Sequence, residues 1–243
     1  MNTGSGNADG DALPAGGIAI VVGSSGGIGS ALQARLSAQP RFCAVLGLGR
    51  RSSPPLDLTD EASIVAAARH VEALGADVRL VIDASGILHD ESLSPEKTWR
   101  DLDAAQMARA FAVNAIGPAL LMKHFLPLLP RHGRSVFATL SARVGSIGDN
   151  RLGGWYSYRA SKAALNQLVR TAAIELGRRQ PAALCVALHP GTVATSLAAP
   201  FTKAGLDVQT PDHAAERLLA VIDRLPPGSS GCFFDHRGAP VPW

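Results

Sequence analysis

The chain holds 243 residues, 47% hydrophobic and 18% charged, which supplies enough apolar side chains for the core of one sizeable α/β domain. No run approaches the roughly 18 consecutive apolar residues of a spanning helix, and no basic segment followed by an apolar stretch opens the chain, so neither a membrane partner nor a secretory signal is expected. The formal charge is +3, but the basic residues are scattered and form no aromatic-interleaved stripe, which argues against nucleic acid as a partner.

Residues 1–16 are mostly small and polar without apolar periodicity, and they read as a flexible lead to a single domain over 17–243. Ile18–Val22 is a continuous apolar run, as expected of a parallel strand buried on both faces. A glycine-rich break follows, then a helix over Ile28–Ala38 with Leu32 and Leu36 on one face. Cys43–Leu48 reads as a second strand and Ser52–Pro55 as a loop. Asp60–Leu74 has helical spacing, and Val78–Ile82 is the next strand. A polar segment carrying Pro95 leads into a helix over Ala104–Leu129 that bends near Pro118. Ser135–Leu140 is a strand, Gly145–Gly154 a glycine-rich loop and Tyr156–Gly177 a long helix. Leu184–Leu188, a short helical piece ending at Phe201, a helix over Pro211–Arg224 and a strand over Cys232–Phe234 complete the pattern. Strands separated by helices imply a doubly wound parallel α/β sheet, a Rossmann fold of about seven strands with helices on both faces. Cys43, Cys185 and Cys232 lack metal-ligand spacing and read as small core residues of a reduced, cytoplasmic protein; no metal is expected.

Gly23, Ser25, Gly27, Ile28 and Gly29 stand where the first strand becomes the first helix. Glycine there lets the backbone turn sharply and approach a pyrophosphate, whose charge meets the unpaired N–H groups of the helix N-terminus. No Lys follows the last glycine, which disfavours a nucleoside triphosphate site. Past the second strand stand Arg50 and Arg51 and no acid. A guanidinium at Arg50 suits a ribose phosphate, so NADPH or NADP is preferred as cofactor, with NADH or NAD possible. Tyr158 and Lys162, four residues apart, share one face of the long helix. A nearby ammonium is expected to lower the tyrosine pKa and improve it as a general acid. Ser141, ending the preceding strand, is placed to hydrogen-bond a substrate oxygen beside Tyr158.

With these motifs in this order, the sequence from about Ile18 to Trp243 resembles the short-chain dehydrogenase/reductase family, in particular its C-factor and sniffer-type carbonyl reductases. The resemblance implies catalytic roles for Ser141, Tyr158, Lys162 and Asn114, the last supporting a water relay. It implies adenine contacts at Asp57 and Leu58, and cofactor contacts at Ala84, Ser85 and Gly86, placed after the fourth strand. Pro190, Gly191, Val193 and Thr195 match the loop that holds the nicotinamide carboxamide, and Lys162 the residue that binds its ribose. Two departures stand out. Ala84 replaces the usual Asn of the turn after that strand, so the junction needs another support, and the long stretch before Tyr158 makes Ser146 a substitute for Ser141 if the register shifts.

The implied reaction is hydride transfer between the nicotinamide and a carbonyl or alcohol, with Tyr158 as general acid and base. A dinucleotide-binding sensor or signalling protein is the alternative, against which the intact Ser, Tyr, Lys and Asn set argues. The pocket is expected from Asp90–Pro95, Val144–Trp155 and Ala194–Leu206, with Leu152 and Trp155 against a modestly apolar carbonyl substrate. His189 is expected to pack rather than act as a base, and His213 and His236 to lie on the surface. The resemblance also implies a homodimer or homotetramer packed through the helices at Ala104–Leu129 and Tyr156–Gly177.

Overall fold

The computed structural model describes residues 13–201 and 207–243. Its strands are β1 (Gly17–Val22), β2 (Phe42–Leu48), β3 (Val78–Asp83), β4 (Ser135–Leu140), β5 (Ala183–His189), β6 (Thr192–Val193), β7 (Val208–Gln209) and β8 (Phe233–Asp235). Its α-helices are α1 (Gly27–Ser37), α2 (Glu61–Glu72), α3 (Ala104–Phe111), α4 (Gly117–Phe125), α5 (Tyr156–Arg179) and α6 (Pro211–Arg224). The main sheet runs β2-β1-β3-β4-β5-β8, every pairing parallel.

Helices cover both faces of the sheet, which explains the unbroken apolar run of β1. Ile18, Ile20 and Val22 enter one core with Ile64 of α2, Leu121 and Phe125 of α4, and Leu165 and Val169 of α5. Ala19 and Val21 enter the other core with Leu32 and Leu36 of α1 and Leu218 and Ile222 of α6. A strand buried on both sides carries no polar alternation. From β1 the chain crosses to β2 on one side and to β3 on the other, so a crevice opens beyond the carboxyl ends of β1 and β3.

Several expectations are corrected. The main sheet has six strands, close to the seven expected, and the Asp83 turn follows the third strand in the chain, β3, where the resemblance placed it after a fourth. The ladder β6–β7 was not anticipated. Within the expected lead, Leu13 is buried in the α1/α6 core and Gly16 N–H donates to the Arg41 carbonyl at 2.8 Å; residues 1–12 lie outside the described residues. The bend in the helix expected over Ala104–Leu129 is a π-helical turn, Ala112–Ile116, between α3 and α4, with Pro118 in the first turn of α4. That stretch, Ala104–Leu128, is long and apolar enough by composition to cross a membrane, yet its Leu121, Met122 and Phe125 are packed in the core. Cys43 is exposed, Cys232 half-buried and only Cys185 in the core. His213 is exposed, whereas His236 is half-buried against His189, ring centroids 6.3 Å apart.

Candidate active site

Gly23 leaves β1 at φ +78°, and its N–H donates to the Leu48 carbonyl at 2.8 Å. A Cβ on Gly29 would sit 2.2 Å from the Gly23 carbonyl oxygen, so no side chain fits there. A Cβ on Gly27 would sit 2.9 Å from Cγ2 of Thr195, which brings the turn and the segment after β5 together. The start of α1 has neither a side-chain cap nor an acid in its first turn. Bare N–H groups in a side-chain-free cradle fit a pyrophosphate. Ser25 is exposed on this turn and Ile28 lines the cavity described below. Arg50 is exposed just past β2, and among the described residues no acid stands within ion-pair distance of it. Asp57 is held below the ordinary carboxylate range by hydrogen bonds from Thr59, and the more distant charge of Arg50 adds the least.

The turn after β3 shows what replaces the missing Asn. Asp83, fully buried, accepts from Ser85 N–H at 3.0 Å, from the Ser85 hydroxyl, and from Thr139 Oγ1 at 2.7 Å. Ala84 N–H donates to the Val22 carbonyl, and the Ala84 backbone lies against Gly23. Asn114, in the π-helical turn, exchanges two 2.8 Å hydrogen bonds with the backbone of Ile87 and donates to Ser161 Oγ at 3.2 Å. A Cβ on Gly86 would come within 3.4 Å of Asn114 Oδ1 and 3.5 Å of Lys162 Nζ. The third strand, the π turn and α5 therefore meet at one point.

A cavity of about 510 Å³ lies beside that point. Ser141, Tyr158, Trp155 and Leu152 line it, as do Pro190, Gly191, Val193 and Thr195. Ser141 is the serine beside Tyr158; Ser146 is buried in its loop and accepts from Asp149 N–H, so the register is unshifted. Trp155 meets the Tyr158 ring edge-on, centroids 6.2 Å apart, and Phe201 at 5.1 Å. Leu152 is 91% exposed at the rim. Leu88 lines the cavity in place of the expected Asp90–Pro95, because Asp90 turns back to cap Ser92 and Leu93 and to pair with Arg109. Of the expected wall Ala194–Leu206, residues 202–206 lie outside the described residues.

The electrostatics also correct an expectation. Burial pushes the Tyr158 hydroxyl up to about 12 rather than down, while the Lys162 ammonium is pushed down to about 8, burial outweighing the pull of Asp83. Lys162 Nζ donates to the Leu140 carbonyl at 2.8 Å and stands 6.0 Å from the Tyr158 ring centroid. His189 lines the cavity with Nδ1 unbonded, and burial first, then Arg143 and His236, push it down to about 4.

Sequence reasoning missed three supporting residues. Asn166 accepts from Ser141 Oγ at 2.6 Å, and its place four residues after Lys162, on the same helical face, is a signal that could have been read. Ser161 links Asn114 to the Tyr158 carbonyl. Glu96, 4% exposed, accepts from the N–H and the hydroxyl of Ser157, and its carbonyl accepts from Trp155 N–H at 2.5 Å. It serves the first turn of α5 in place of a local cap, since Trp155 precedes the helix in the left-handed region, φ +53°, and caps nothing. A cap supplied from 61 residues away has no local sequence signature.

The comparisons with known proteins agree with this geometry. A family model described as enoyl-(acyl carrier protein) reductase matches residues 34–221, a span that includes Asn114, Ser141, Tyr158 and Lys162. A dehydrogenase from Rhodococcus sp. (strain AD45), acting on 1-hydroxy-2-glutathionyl-2-methyl-3-butene, is 34% identical over 194 residues, 78% of this chain and 79% of that one. The chain belongs to the short-chain dehydrogenase/reductase family. Within the family, the C-signal of Myxococcus xanthus is 41% identical over 143 residues, 59% of this chain and 82% of the relative. The crystal structure of NADPH-bound carbonyl reductase from chicken fatty liver superposes with a TM-score of 0.81 at 28% identity, covering 99% of this chain and 100% of that one. The short-chain dehydrogenase/reductase fold is thus present as one Rossmann-like unit.

Proposed function

We propose that this protein is an NADP(H)-dependent reductase of carbonyl compounds, with Tyr158 as the general acid and base. The observation that carries the reading is the shared cavity, in which Ser141 and Tyr158 face Pro190, Gly191, Val193 and Thr195. The bound nicotinamide supplies the hydride. Gly23, Gly27 and Gly29 with the bare start of α1 would hold the pyrophosphate, and Arg50 the 2′-phosphate of the ribose.

Tyr158 keeps its proton at neutral pH because burial disfavours the phenolate, which suits an acid that protonates the carbonyl oxygen as charge develops there. Ser141 Oγ donates to Asn166 Oδ1, which fixes the hydroxyl at the cavity wall; turned toward a substrate, it would donate to the same oxygen as Tyr158. Lys162, close to Gly86 and Asn114, would bind the nicotinamide ribose and draw the tyrosine proton balance toward the charged form. Pro118 has no N–H to offer the Asn114 carbonyl four residues back, so that oxygen is suited to a water linking Lys162 to solvent.

Likeness to the C-signal of Myxococcus xanthus favours a second reading, in which dinucleotide binding serves signalling with little turnover. A parallel fluorescence titration with NADPH and NADH tests the proposal. We expect NADPH to bind about tenfold or more tighter and Arg50→Ala to erase the difference. Preference for NADH would remove the role given to Arg50, and binding of neither would overturn the reading. Turnover of any carbonyl compound separates the enzyme from the signalling module.

A further inference from the structure

The cavity beside Tyr158 is apolar through Leu88, Trp155, Leu197 and Phe201, yet three guanidinium groups line it: Arg143, Arg151 and Arg159. Among the described residues, Asp149 is the one carboxylate in its lining. Arg143 takes that carboxylate at 3.1 Å and reaches Asp235 at 3.3 Å. The other two arginines have no acid within ion-pair distance among the described residues.

Among the described residues, Arg159 donates only to neutral carbonyls. Its Nε bonds the Gly154 oxygen at 2.9 Å, its other nitrogens reach Gly153 at 3.1 Å and Val144 at 3.2 Å, and burial lowers its pKa. Those carbonyls belong to both ends of the loop between β4 and α5, so the guanidinium is fixed before any ligand arrives. Arg151 bonds only the carbonyl of its neighbour Asn150, at 3.3 Å, and stands next to Leu152 at the rim. A partly desolvated cation without a counter-ion is costly, and a ligand carboxylate would offset that cost. The cofactor phosphates would not supply it, because the glycine turn and Arg50 lie past β1 and β2, whereas these arginines stand on the β4–α5 loop and on α5.

We propose that the substrate is an oxo-acid: an apolar or aromatic carbonyl compound bearing a carboxylate that Arg151 and Arg159 bind. The inference rests on the reductase reading above and names the substrate class of that same site. A pair of probes that share ring and aldehyde but not charge tests it, para-formylbenzoate and its neutral methyl ester. Both are titrated against the NADP-saturated protein by tryptophan fluorescence, and both are assayed for NADPH consumption. The carboxylate is expected to bind about tenfold or more tighter than the ester, an advantage that shrinks with added salt. Arg151→Glu, which breaks no contact to another element, is expected to collapse the carboxylate-to-ester ratio. Equal binding, tighter binding of the ester, binding of neither, or an unchanged ratio in Arg151→Glu would overturn the proposal. Failure of the protein to take up NADP in the first step would instead strike the reductase reading.

Discussion

At the scale of single residues, the pair that the motif couples most closely is not coupled in the way its spacing suggests. Four residues of helix place Tyr158 and Lys162 on one face, but the ammonium is spent on the Leu140 carbonyl, and burial dominates both groups. The chemistry-bearing residues were legible because each has a distinctive type at a strand or helix end. Their protonation was not, because desolvation depends on what packs above them from other elements. The buried lysine has a testable linkage. Its folded pKa of about 8 lies below the ordinary 10.5, so the unfolded chain binds more protons between those values, and the lysine's destabilising effect is full below about pH 8 and fades as pH rises toward 10.5. Lys162→Met should therefore be more stable than the parent at pH 7, by up to about 3 kcal/mol less what the lost Leu140 hydrogen bond takes away, and the gap should narrow by pH 10. Urea unfolding of both proteins at the two pH values checks this; a gap that widens with pH would contradict it.

At the scale of elements, strands and helices were readable from periodicity, since two-sided burial leaves continuous apolar runs and amphipathic helices leave apolar stripes. What escaped were features set by neighbours. The π-helical turn at Ala112–Ile116 aims Asn114 at Ile87 and Ser161, and only Pro118 hinted at a break. The start of α5 depends on Glu96, whose carboxylate takes both donors of Ser157 and lies favourably at the positive end of the helix. Glu96→Ala leaves those donors buried and unpaired. It should cost about 1–3 kcal/mol in chemical denaturation and loosen Trp155 and Tyr158 enough to lower turnover. A variant that kept parent stability would show that α5 is held by its packing alone.

At the scale of the whole molecule, the order of the sheet places the glycine turn, the Asp83 turn and the Ser141 strand end along one edge, and that arrangement makes scattered motifs a single site. The same architecture leaves Ile116 and Ile174 half exposed, on the π turn and on α5, within the two stretches through which assembly is expected. Sedimentation of the parent should give twice or four times the 25.2 kDa chain mass, and Ile174→Glu should shift it toward the monomer. A monomeric parent would contradict that assembly.

The central claim is that Tyr158 protonates a carbonyl that receives hydride from bound NADPH. The most direct measurement follows deuterium from NADPH labelled at the nicotinamide hydride position into the alcohol product, for the parent and for Tyr158→Phe, with NADPH binding measured alongside. The account predicts labelled alcohol from the parent, and from Tyr158→Phe a loss of about a hundredfold or more with NADPH still bound. Labelled alcohol formed by Tyr158→Phe at near the parent's rate would contradict it.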